Sequence, residues 1–150
     1  MQFFNLTKKF NPQVVDNYRK GKGPTRIVLL LTTTGRKSGL PRVTPLQYEE
    51  DDGLIYVGSA RGQQADWFKN ILANPHVHVQ IQQREFDAVA EAVTDPKKVA
   101  DFIELRVKRH PVMLRAIMFF ADGLPFNFNR TQLEQYCINR TMVILHPIDG

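Results

Sequence analysis

The chain is poor in cysteine, in long apolar stretches and, over its first third, in acids. A single cysteine, Cys137, in 150 residues excludes an internal disulfide and reads as a small buried hydrophobe. No run approaches the ~18 apolar residues of a membrane span, and the first residues lack the charged, apolar, small-residue order of a secretory leader. A cytoplasmic protein is therefore expected, and the Asn-x-Thr triplets at Asn5, Asn129 and Asn139 carry no weight on that expectation. Three catalytic templates are missing as well. Gly35-Arg-Lys-Ser38 lacks the upstream glycine of a Walker A loop, no Gly-x-Gly-x-x-Gly follows a strand, and there is no nucleophile elbow. His76 and His78 have no third ligand near them in sequence, so no metal is expected, and His110 before Pro111 reads as a helix-end cation. No carboxylate stands in an isolated apolar setting, so no catalytic side chain is expected. An enzyme built on this chain would take its reactive atoms from a cofactor.

The missing acids make the charge lopsided. Residues 1–48 hold nine Lys or Arg against Asp16 alone, a net of +8, while the remainder holds eleven against fourteen acids, a net of −3. That pattern suits an anionic partner approaching one side: a phosphorylated cofactor, a nucleic acid or an anionic membrane. Base-stacking aromatics do not alternate with the cations of the basic turn described below, so no nucleic-acid partner is expected. Phe3, Phe4, Leu6 and Phe10 beside Lys8 and Lys9 read as a packing arm, a dimer-exchange arm or a weak peripheral membrane contact.

What is there centres on one turn. An apolar run from Ile27 to Leu31 enters it and a strand-like run from Val43 to Tyr48 leaves it. Between them stand Gly35, Arg36, Lys37, Ser38, Gly39 and Arg42. Glycines let backbone N–H groups face a ligand oxygen, and Arg and Lys add charge-assisted hydrogen bonds, so the turn reads either as an anion site or as a solvated hairpin tip.

Around the turn the chain reads as mainly β, an α+β chain of one domain. Residues 1–26 form an N-terminal arm and a helix from Asn11-Pro12 to Gly21, and 27–150 form the barrel domain. Leu54 to Gly58 follows the acidic turn Glu49-Glu-Asp-Asp-Gly53 as a third strand, completing an antiparallel meander. Asp66 caps a short helix carrying Trp67, Ile71 and Leu72. His76 to Gln82 alternates, with Val77, Val79 and Ile81 on one face and His76, His78, Gln80 and Gln82 on the other. Phe86 to Val93 is a fifth strand. Thr94-Asp-Pro96 opens a helix with Val99, Phe102, Ile103 and Val107 on one face, and Met113 to Phe120 adds a turn or two more. Arg130 to Tyr136 is helical and Met142 to Leu145 is the last strand. This order favours a small antiparallel barrel or half-barrel with helices against it. Tyr136 with Phe119, Phe120, Phe126 and Phe128 either lines an apolar pocket or belongs to the core.

Thr34-Gly-Arg-Lys-Ser-Gly39 with Arg42 and Thr44-Pro-Leu-Gln-Tyr48, then Asp52-Gly53, Tyr56-Val-Gly-Ser59, Asp66-Trp-Phe-Lys-Asn70 and Ala73-Asn-Pro75, resembles the deazaflavin-dependent nitroreductase and quinone reductase family in the same order of blocks. The resemblance runs from about Ile27 to Val93. It implies an antiparallel split β-barrel of the FMN-binding type with flanking helices, forming a homodimer. In such proteins reduced coenzyme F420 delivers a hydride to a small-molecule electron acceptor: a quinone, a nitro compound or an activated alkene. By the same matching, Arg36, Lys37, Ser38, Gly39 and Arg42, followed by Thr44 and Pro45, would hold the cofactor's phosphate and anionic tail. Ser59 and Arg61 would lie along the cofactor, and Trp67 and Asn70 would line or brace its pocket. The chain departs from the family pattern at Ser59-Ala-Arg-Gly-Gln-Gln-Ala-Asp-Trp67, where many relatives have a lysine and a longer loop. Arg61 is the candidate for the displaced charge, and FMN, FAD or haem stay open as alternative cofactors. A non-catalytic carrier on the same barrel has the same sequence requirement.

Overall fold

The computed structural model describes residues 28–59 and 62–148. The arm and helix expected over 1–26, the start of the first strand at Ile27, and Arg61 lie outside the described residues. In chain order the elements are β1 (Val28–Thr34), β2 (Pro41–Asp51), β3 (Leu54–Ser59), a 3-10 turn (Gly62–Gln64), α1 (Asp66–Ala73), β4 (His76–Ile81), β5 (Arg84–Val93), α2 (Pro96–Arg109), α3 (Pro111–Asp122), α4 (Arg130–Tyr136) and β6 (Thr141–Pro147).

The six strands close into a barrel in the order β1-β2-β3-β6-β5-β4, with β4 returning to β1 and every pairing antiparallel. Register follows the alternation of side chains. Leu31 stands opposite Thr44 on β2 and Val79 on β4, and Val57 opposite Val143 on β6. A slip of one residue would turn each of these side chains out of the interior. Leu29, Leu31, Ile55, Val57, Val77, Val79, Ile81, Val143 and Leu145 fill the interior, so the barrel is a packed core.

Helix α1 plugs this core with Trp67, Phe68 and Ile71. Three details differ from the sequence reading. Asp66 is the first helical residue and Ala65, whose side chain makes no capping hydrogen bond, holds the cap position; the Asp66 carboxylate reaches Arg36 at 3.4 Å. Leu72 is exposed, and Phe68 takes its place on the apolar face, because helical spacing from Trp67 and Ile71 carries the inward stripe through 68. Gln80, expected on the polar face of β4, is buried, with its amide donating to the Gln82 carbonyl at 2.9 Å.

A second apolar cluster forms outside the barrel. Val99, Phe102 and Val107 of α2, Leu114 and Met118 of α3, and Leu133 of α4 gather with Val93, Tyr56, Met142 and Ile144 from β5, β3 and β6. Phe102 lies so close to β3 that a Cβ at Gly58 would sit 3.3 Å from its ring, and the two rings of Tyr56 and Phe102 stack at 5.9 Å. Asp95 caps α2 by accepting from the Lys97 amide at 3.0 Å, and Asn129 with Gln132 forms a reciprocal capping box on α4.

Candidate functional site

The β1–β2 turn is closed by two backbone bonds of 2.8 Å, from the Gly35 amide to the Leu40 carbonyl and from the Gly39 amide to the Gly35 carbonyl. Gly39 has φ +72, a left-handed backbone that glycine adopts without strain. The Ser38 hydroxyl accepts from the Leu40 amide at 3.1 Å and from Arg42 Nη2 at 3.3 Å, which folds the Arg42 guanidinium back over the turn. Lys37 is exposed and its ammonium makes no ion pair or hydrogen bond among the described residues. The amides of Lys37 and Ser38 likewise donate to no protein group there.

Arg36 faces the other way. Its amide and its Nη1 both donate to Asn70 Oδ1, at 3.2 and 2.9 Å, and its guanidinium reaches the carbonyl and the carboxylate of Asp66, each at 3.4 Å. Asn70 is 4% exposed, and its Nδ2 donates to the Thr33 hydroxyl at 3.2 Å, on a residue 1% exposed. One buried amide therefore ties β1, the turn and α1 together. In the six-residue turn, Arg36 is tied to Asn70 of α1, Ser38 is tied to Arg42 of β2, and Lys37 is exposed.

The other residues singled out in the sequence lie as follows. Thr44 and Pro45 stand on β2 opposite Leu31 and Leu30. Ser59 is buried and its hydroxyl donates to the Gly62 carbonyl at 2.8 Å, fixing the start of the loop that leads to α1. Trp67 is inside the barrel, edge-on to Phe68 at 6.1 Å, so it braces α1 from within. Of the aromatic group, Phe128 and Tyr136 pack into the helical layer, whereas Phe119, Phe120 and Phe126 are exposed. The Tyr136 hydroxyl donates to Asp122 at 2.7 Å, Arg140 covers its ring at 4.1 Å, and burial raises its pKa. Burial likewise pushes the Cys137 thiol up to about 11, so it stays protonated at neutral pH. His110 lies between α2 and α3 with Nε2 3.3 Å from Glu49.

An open cleft of about 330 Å³ beside the turn escaped the sequence reading. Its wall includes Thr32 and Thr34 of β1, Gly39, His76 and His78 of β4, and Asp87 of β5. His78 is held between Asp87 Oδ1 at 2.9 Å and Glu85 Oε1 at 3.0 Å, and those hydrogen bonds raise its pKa. Alternation along β4 already placed His76 and His78 on one face; the acids opposite them come from β5 and only the register supplies them. No group of three His, Cys, Asp or Glu among the described residues is placed to hold a metal.

Comparison with known proteins bears on the whole arrangement. The sequence model of the family described as F420H(2)-dependent quinone reductase matches residues 5–114. An F420H(2)-dependent quinone reductase of Mycobacterium tuberculosis is 38% identical over 68 residues, which are 43% of this chain and 46% of that protein. The chain thus spans about half the length of the curated relatives it matches. A solved F420-H2 dependent reductase is 25% identical, with a TM-score of 0.54 over 81% of this chain and 95% of that one. A chain described as a domain-swapped dimer shares the fold, at 21% identity and a TM-score of 0.56 over 95% of this chain and 98% of that one.

Proposed function

This chain belongs to the F420H(2)-dependent quinone reductase family, and from that premise we propose that it binds coenzyme F420 and reduces a quinone, nitro compound or activated alkene. The observation that carries the proposal is the set of donors at the β1–β2 turn that the described protein leaves unused. Lys37 has no ion pair or hydrogen bond among the described residues, Arg42 is oriented by a serine hydroxyl, and two neighbouring amides donate to no protein group there. That donor set fits a phosphate followed by an anionic tail, which is the chemistry such a cofactor presents. Lys37, Ser38, Gly39 and Arg42 hold the anionic end in this reading. Arg36 and Asn70 hold the turn itself in shape.

When bound and reduced, the deazaflavin supplies the hydride. The chain's own work is to position and to exclude. Thr44, Pro45, Ser59 and Arg61 border the cofactor, and Trp67 keeps α1 seated so that Asn70 meets the turn. The acceptor takes the hydride together with a proton from solvent, so no side-chain nucleophile is required, and the rate follows from holding donor and acceptor in contact. The protein works as a cytoplasmic homodimer in this reading.

The test is a titration followed by turnover. Purified protein is titrated with F420, FMN and haem in turn, then supplied with reduced F420 and a water-soluble quinone or nitroaromatic. Binding of F420 in preference to the other two, and oxidation that depends on the acceptor, are expected. Binding without acceptor-dependent oxidation would make the protein a carrier, and preference for FMN or haem would overturn the cofactor assignment.

A further inference from the structure

The interior of the barrel turns polar at the end that carries the β1–β2 turn. Leu31 on β1, Val57 on β3 and Val143 on β6 face inward, and the next inward position toward that end is Thr33, Ser59 and Thr141 in turn. All three are buried, Thr141 at 3% exposure. Thr33 accepts from the Asn70 amide, and Ser59 donates to the Gly62 carbonyl. The Thr141 hydroxyl is closed to solvent and has no hydrogen-bond partner among the described residues. Six polar or charged side chains are buried among those residues, and five of them, Thr33, Glu49, Ser59, Asn70 and Gln80, are paired. A valine would fill the space of Thr141 without stranding a polar atom, so the hydroxyl at this position needs a physical reason.

The place of Thr141 supplies that reason. It pairs directly with Ser59 across the β3–β6 ladder. Gly62, which follows Ser59 by three residues, has φ +59 and lies so close to the Asn139 carbonyl that no Cβ would fit between them. The start of the 3-10 turn and the residues leading into β6 are therefore packed backbone against backbone. Whatever lies along Ser59 meets the first residue of β6 as well. Thr141 is far from Ser59 in the chain and stands beyond residues 5–114, the part matched to the family, so no family motif marks it.

We propose that Thr141 is a cofactor-binding residue, its hydroxyl reserved for a hydrogen bond to the polar edge of the deazaflavin cofactor that lies along Ser59. This rests on the reductase reading and deepens it, because it adds the C-terminal strand to a site otherwise drawn from Thr44, Pro45, Ser59 and Arg61. A hydroxyl can donate or accept, so it serves a carbonyl, an N–H or a chain hydroxyl of the cofactor equally. Entry of the cofactor parts the packed contact between Gly62 and Asn139, and the new hydrogen bond offsets that loss. In the unliganded chain the hydroxyl only lowers stability; in the complex it is paired. The electron acceptor takes no part in this contact.

The experiment compares Thr141→Val and Thr141→Ser with wild type in two measurements on the full chain, urea unfolding without ligand and titration with F420. Thr141→Val keeps the shape and removes the hydroxyl. It should unfold at the same or a higher urea midpoint yet bind F420 about five- to tenfold more weakly, the worth of one hydrogen bond. Thr141→Ser should bind F420 as wild type does. A threonine with a merely structural role cannot give gains in one measurement and losses in the other. Equal F420 affinity of wild type and Thr141→Val would overturn this inference and leave the reductase reading standing. A Thr141→Val protein clearly less stable than wild type would also overturn it, since the hydroxyl would then have its partner within the chain. So would a Thr141→Ser protein that binds as weakly as Thr141→Val, which would assign the effect to side-chain shape. Absence of F420 binding by the wild type would overturn this inference and the reductase reading together.

Discussion

Arg36 and Lys37 are neighbours in the chain with opposite surroundings, and the difference sets what each substitution does. The Arg36 guanidinium is bound to Asn70 and Asp66, whereas Lys37 stands free of both. Lys37→Ala and Arg42→Ala should each weaken F420 binding by about ten- to a hundredfold, the worth of one charge-assisted hydrogen bond, and should flatten its salt dependence. Arg36→Ala should weaken binding with the salt dependence nearly intact, because the cation removed is already matched by Asp66. Titrations at two ionic strengths separate the two behaviours, and equal slopes for all three variants would sink the distinction. Asn70→Ala strands the buried Thr33 hydroxyl and takes the acceptor from the part-buried Arg36 amide, at a cost of about 1–3 kcal/mol of stability read by denaturant unfolding. His78 carries the pH dependence. Its folded pKa is raised above 6.5, chiefly by the hydrogen bond to Asp87 and then by Glu85. The stabilisation is therefore complete below 6.5 and is lost as pH rises through the raised value. In an Asp87→Asn/Glu85→Gln variant the imidazole should titrate nearer 6.5 by NMR, and that pH-dependent part of stability should vanish.

The elements were legible wherever side-chain period alone decided them. Alternation in Val77, Val79 and Ile81 and the 3.6-residue recurrence of Val99, Phe102 and Val107 each led to the observed element. Ends were less legible. β2 runs from Pro41 to Asp51, past both limits of its apolar run, because its backbone pairs with β1 as far as Thr34 and with β3 as far as Leu54 whatever the side chains are. The charged end thereby created is used. Glu49, on a side chain 7% exposed, accepts from Arg106 at 3.2 Å and Arg109 at 3.1 Å, while Arg106 also reaches Gln47 and Arg109 reaches Asp51. These bonds anchor the C-terminal turn of α2 to the far end of β2. Glu49→Gln should cost roughly 1.5–3 kcal/mol, moderated because both arginines keep some access to water. The measurement is the shift in urea midpoint, and a variant as stable as wild type would show that the helix is held by its apolar face alone. No sequence window contains both ends of this contact, which span 57 residues or more.

At the scale of the whole molecule, the closed barrel separates two regions. In the circle β1-β2-β3-β6-β5-β4, β1 lies across from β6, so the turn leaving β1 and the helical layer resting on β3, β6 and β5 belong to opposite walls. The composition of the turn marked it as a candidate anion site, since glycines, cations and a hydroxyl are local in the chain. What supports it was not legible, because Asn70 reaches Arg36 across 34 residues and does so only once α1 has plugged the barrel. The two walls should therefore respond differently to equal damage. Leu31→Ala removes an interior side chain two residues from Thr33, and Leu133→Ala removes a fully buried one from the helical layer. Each should cost about 2–5 kcal/mol of stability. In the folded population of the first variant the β1 strand shifts toward the cavity, Thr33 and Asn70 lose register, and F420 affinity falls severalfold. In the second the barrel and α1 keep their contacts, and affinity stays at the wild-type value. Titration well below each variant's unfolding midpoint reads the difference, and an equal loss of affinity in both would mean that the helical layer takes part in shaping the turn.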